Sequence, residues 1–88
     1  MQSKYEQLEL FLRAFPAKTG EVTLSFAEIE RILGAPLPAS AMSHRAWWGN
    51  QKESKTRPQA HAWLSAGFQV DAVNQGGSNS SVRFKRAI

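Results

Sequence analysis

The sequence predicts a small α+β domain, with three helices or more, a short N-terminal strand and a C-terminal β-hairpin, in one unit over residues 1–88. Three observations carry this expectation. Apolar residues recur at spacings of three and four over residues 3–15, 26–33 and 58–66, the period of a helix with one buried face. They alternate with polar ones around Phe68, Val70 and Ala72 and around Val82 and Phe84, the period of a strand. A chain of 88 residues, 42% hydrophobic, is long enough for one modest core and too apolar to stay disordered.

The elements follow in order. On the first helix, residues 3–15, Tyr5, Leu8, Phe11, Leu12 and Phe15 share a face, and Pro16 ends it by disfavouring helical geometry in the residue before it. A turn over 17–20 leads into a β-prone strand over 21–24. Ser25 and Glu28 then stand at the spacing of a capping box, in which each side chain bonds the other's backbone amide. The helix they open carries Phe26, Ile29, Ile32 and Leu33 on one face and has Gly34 just past its end. Pro36 and Pro38 stiffen the connector that follows. Two conformations suit the next stretch. One is a short helix over 39–46 opened by Pro38. The other is a short strand over 44–49, since the adjacent Trp47 and Trp48 fit a pleated surface. Residues 50–56 read as a polar loop. Pro58 opens a helix through 66, with Ala60, Trp63 and Leu64 on one face and Gly67 beyond it. The hairpin strands are joined by a polar loop over 74–80 that contains Gly76 and Gly77.

This order of elements resembles a winged helix-turn-helix, with the hairpin as the wing and the first strand completing a three-stranded sheet. It departs from the standard form where a Trp-rich stretch and a loop separate Gly34 from the next helix. Fold alone does not give function.

Charge is distributed unevenly. Residues 1–30 hold three cations against five carboxylates, a balance of −2, while residues 31–88 hold eight against two, a balance of +6. A one-sided basic surface is the usual footprint of a polyanion-binding protein, although a basic balance also serves solubility. There is no cysteine, so disulfides and thiolate metal sites are excluded and a reducing cytoplasm is the expected setting. No apolar run approaches the roughly 20 residues that span a bilayer, and residues 1–10 lack the pattern of a signal peptide.

Three clusters carry the functional expectation. The first is His44 to Lys52. Here Arg45 suits guanine, Asn50 and Gln51 suit adenine, Lys52 suits phosphate, and Trp48 suits stacking on a base. In a chain this short at least one of Trp47 and Trp48 belongs to the core, and an Asn after Gly also shapes turns. The second cluster is Lys52, Lys55, Arg57, Gln59 and His61. It runs into the first turn of the Pro58 helix, where free amides and the helix dipole favour a phosphate. Gln59 and His61, with Ala62 and Ser65, form a polar face of major-groove width or simply a solvated one. The third is Arg83, Lys85 and Arg86 on the last strand, placed to follow a phosphate backbone or to discourage edge pairing. Catalysis finds little support. His44 and His61 are the only histidines, and no metal-ligand spacing or glycine-rich phosphate loop is present.

At Arg45-Ala46-Trp47-Trp48-Gly49-Asn50 and His61-Ala62-Trp63-Leu64-Ser65-Ala66-Gly67-Phe68, the sequence resembles a family of small bacterial domains with an RAWWxN … AWLxAGF signature. The segment from Leu24 to Ala41 matches the "TFxEIExILGxxLPxSA" stretch that precedes this signature. The family has no established activity, so the resemblance implies no partner.

The sequence therefore predicts a non-enzymatic module for double-stranded DNA, possible as a homodimer and suited to a small transcription regulator, with no cofactor, metal or membrane. Two alternatives stay open: a protein-interaction or dimerisation module built on the Trp-rich segment, and binding to RNA or single-stranded DNA.

Overall fold

The computed structural model describes residues 4–50, 58–75 and 79–87. Its elements run α1 (Glu6–Arg13), β1 (Glu21–Ser25), α2 (Phe26–Leu33), α3 (Ala39–Ser43), a 3-10 turn (Arg45–Trp48), α4 (Pro58–Ser65), β2 (Phe68–Asn74) and β3 (Ser81–Arg86). The strands form one antiparallel sheet in the order β1-β3-β2. The α+β expectation holds, and this order is compatible with a winged-helix-like arrangement.

The last strand lies in the middle of the sheet, and that placement sets the core. Phe84 faces Val22 on one side and Val70 on the other, and Val82 faces Leu24 and Val73. Two rows of apolar side chains thus cross the sheet on its inner face, while Arg83 and Lys85 fall on the other face by the two-residue period. Strand β2 does not alternate cleanly. A bulge between Val70 and Ala72 leaves Asp71 as an extra residue, so Val73 rather than Ala72 continues the inner row.

Helix α2 is set by local bonds. The Glu28 amide donates to Ser25 Oγ at 3.0 Å, and the Ser25 amide donates to Glu28 Oε1 at 2.8 Å. At the other end Gly34 adopts φ +73°, a left-handed conformation that glycine takes without steric cost, and its amide closes the helix on the Glu30 carbonyl. Helix α1 is shorter than its apolar periodicity suggests. Leu8 and Leu12 are buried, but Phe11 remains 37% exposed. Helix α4 is buried on most of its surface, at Gln59, Ala60, Ala62 and Trp63, and it packs against both α1 and β2.

Of the two conformations expected for this stretch, the short helix after Pro38 forms but stops at Ser43, and the strand is corrected: Arg45–Trp48 form a 3-10 turn. A strand would send Trp47 and Trp48 to opposite faces. The turn instead directs both indoles inward. Trp48 is fully buried and stacks between Phe26 at 5.1 Å and Trp63 at 5.8 Å, while Trp47 meets Tyr5 edge-on at 5.9 Å.

Candidate nucleic-acid interface

Four residues expected to contact nucleic acid are engaged in holding the domain together. Trp48 cannot stack on a base, because its ring is enclosed and its indole N–H donates to the Ala41 carbonyl at 2.9 Å. Gln59 is 4% exposed, and its amide donates to the Trp47 carbonyl at 2.9 Å. It belongs to the packed side of α4, not to a polar outer face.

Asn50 acts as a substitute strand. Its Oδ1 accepts from the Val70 amide at 2.8 Å and its Nδ2 donates to the Val70 carbonyl at 2.9 Å, as a neighbouring peptide would. Its Oδ1 also accepts from the Trp63 indole N–H at 3.0 Å. Because β2 is an edge strand, the carboxamide satisfies and blocks edge groups that would otherwise be open to pairing. It also gives the buried Trp63 its polar partner.

Arg86 ties the end of β3 to the turn after α1. It donates to the Thr19 carbonyl at 3.2 Å and to the Pro16 carbonyl at 2.8 Å, and its guanidinium lies over the Phe68 ring at 4.2 Å. These carbonyls hold it in place but leave its charge uncancelled. Arg83 is paired. Its guanidinium donates to Asp71 Oδ2 from Nε at 2.8 Å and from Nη2 at 2.6 Å. The bulge that expels Asp71 from the ladder is what brings this carboxylate to Arg83.

Three further expected residues lie on the surface. Arg45 is exposed at the start of the 3-10 turn, its Nη1 reaching back to the Trp48 carbonyl at 3.4 Å. His61 is exposed on α4, with Ser65 Oγ at 3.2 Å. Lys85 is exposed on the outer sheet face, flanked in register by Glu21 and Gln69. Gln51, Lys52, Lys55 and Arg57 lie outside the described residues. The residues on either side of that segment are both fixed, Asn50 at Val70 on β2 and Gln59 at the Trp47 carbonyl.

The two amide clamps were not anticipated from the sequence. Their partners stand 12 to 20 residues away, and nothing at the local level marks an Asn or Gln for such a bond. Among the described residues no three His, Asp or Glu side chains gather to hold a metal, and no helix is long and apolar enough to cross a membrane.

Comparison with known proteins gives a family and no more. No curated protein and no solved structure matches the chain. The model of a domain family of unknown function, DUF7662, matches residues 5–87, and the chain belongs to that family.

Proposed function

We propose that this domain binds nucleic acid, with double-stranded DNA as its ligand, through phosphate contacts from the basic part of the chain. One observation carries the reading: residues 31–88 hold eight cations and only two carboxylates, Glu53 and Asp71, and Asp71 is taken up by Arg83. Arg45 and Lys85 remain exposed, and the sequence adds Lys52, Lys55 and Arg57 between Asn50 and α4. Such a distribution favours a polyanion, and most affinity for DNA comes from its phosphates. Base-edge contacts are left to Arg45, His61 and Gln51.

Burial of the aromatics separates the candidate ligands. Binding of single strands relies on aromatic side chains that stack on unpaired bases. Here Trp48 and Trp63 are fully buried and Trp47 packs on Tyr5. The same burial counts against the Trp-rich segment as a docking face. Both histidines are exposed, and the only described hydroxyl bonded to His61 is that of Ser65 on the same helix.

The test is fluorescence anisotropy with a labelled duplex and one of its strands, each titrated at two salt concentrations. Tighter binding to the duplex is expected, with a log–log salt slope of about −3 to −4.5 for three to five neutralised phosphates. Replacing Lys55 and Arg57 together by Ala lowers that slope by about 2. Absence of binding at low salt overturns the proposal, and preference for the single strand transfers it to RNA or single-stranded DNA.

A further inference from the structure

The apolar surface that the core leaves uncovered is concentrated on α1. Of the three large hydrophobic side chains exposed among the described residues, Leu10 (52%) and Phe11 (37%) are adjacent there, and Met42 lies on α3. Phe11 also lines a shallow hollow of about 260 Å³ between α1 and α2, together with Leu24, Ile32, Glu28 and Arg31. Its ring meets that of Phe15 edge-on at 5.4 Å.

We propose that this α1–α2 face joins a second copy of the chain in a two-fold dimer. A two-fold contact presents the same patch from both sides, so the patch has to be complementary to itself. This one is. It offers a partly exposed ring, Phe11, on the rim of an apolar recess over Leu24 and Ile32. It also offers an anion and a cation one helical turn apart, Glu28 and Arg31, on the rim of that recess. The Ser25 amide occupies Glu28 Oε1 and leaves Oε2 for a cation. Two-fold docking sets Phe11 over the partner's recess and Arg31 against the partner's Glu28, so that this ion pair forms twice. Neither Arg45 nor Lys85, the exposed cations assigned to DNA, lines this hollow.

The alternative occupant is the basic part of another copy, held head-to-tail against the acidic N-terminal part. One substitution separates the two by sign. In the two-fold dimer Arg31→Glu places a carboxylate against the partner's Glu28 and weakens association about tenfold at low salt, with partial recovery at high salt. In a head-to-tail contact it makes the acidic face more acidic and strengthens association.

Sedimentation velocity on the whole chain over a concentration series reads the outcome. The expected wild-type mass rises from 9.8 kDa toward twice that value, Phe11→Glu stays monomeric, and Arg31→Glu shifts the curve to higher concentration. Near-ultraviolet circular dichroism checks that each variant is folded. If Phe11→Glu fails to fold, Arg31→Glu alone carries the test. The proposal is overturned if the wild type stays monomeric at every concentration, if a folded Phe11→Glu variant still dimerises, or if Arg31→Glu strengthens association.

Discussion

Helix α2 and the 3-10 turn meet in the same core, where Phe26 of the one stacks on Trp48 of the other, yet they are held by bonds of different reach. The ends of α2 are fixed within its own stretch of chain, by Ser25 and Glu28 at one end and by Gly34 on Glu30 at the other. The 3-10 turn is held from outside. Trp48 bonds to Ala41, Trp47 accepts from Gln59, and the adjoining Asn50 reaches Val70 and Trp63. The helix is a local decision that the core accepts. The turn is a decision of the assembled core, because its indoles need α2, α4 and the sheet in place before they have anything to pack on. The residues that most invited a functional reading sit in the second region, and there they serve the fold.

The largest way to break this contrast is to remove the shared ring. Trp48→Ala opens a cavity between Phe26 and Trp63 and strips the Ala41 carbonyl of a donor. Truncating a buried Trp typically costs about 3–5 kcal/mol. Small domains have total stabilities of roughly 5–15 kcal/mol. Urea unfolding should therefore show a midpoint near zero denaturant or a chain without cooperative unfolding. A variant that unfolds close to the wild-type midpoint would mean that the ring does not organise this core.

The clamp is the next test in size. Asn50→Ala removes three hydrogen bonds and leaves the Trp63 indole N–H buried without an acceptor. An orphaned buried donor costs about 1–3 kcal/mol. Asn50→Asp keeps the acceptor for Val70 and Trp63 but sets a carboxylate oxygen against the Val70 carbonyl, so it should recover only part of the loss. Coupling identifies the contact: with Trp63→Phe as the second change, a double-mutant cycle should return about 1–2 kcal/mol of interaction. Additive losses would show that Asn50 stabilises the strand edge alone.

What was legible in the sequence follows from the same difference in reach. The capping box, Gly34 at the end of α2, Pro58 at the start of α4 and Gly67 with φ +88° after it are all written within one turn of the feature they specify. The hairpin showed in the alternation of Val82 and Phe84. The bulge at Asp71 did not show, because Phe68, Val70 and Ala72 alternate just as an unbroken strand would, and only pairing with β3 selects Val73 instead. Exposure of Phe11 was hidden because periodicity places it beside Leu8 and Leu12 but does not say how wide a stripe the neighbouring helices cover. At the candidate interface, residue type indicated which side chains suit nucleic acid but not which of them the core would claim. An Asn or Gln that matches a base edge matches a peptide edge equally well, and here Val70 and Trp47 take both.

The smallest expected effect probes the local region in isolation. Glu28 accepts from the Ser25 amide and lies near Arg31, and both hold its carboxyl below the ordinary value of 4.5, the bond to Ser25 being the stronger cause. A depressed folded-state pKa stabilises the fold when the group is ionised in both states. That contribution is present above the ordinary value and is lost as the pH falls through the lower folded-state value. Glu28→Gln keeps a carbonyl oxygen for the Ser25 amide but removes the charge. It should therefore unfold at slightly lower urea than the wild type at neutral pH, and the gap should close as the pH falls through the lowered folded-state value. Because Glu28 is fully solvent-screened, the effect stays below those of Trp48 and Asn50. A gap that persists unchanged in acid would assign the loss to hydrogen-bond geometry rather than charge. The cap would still be local, but it would no longer be electrostatic.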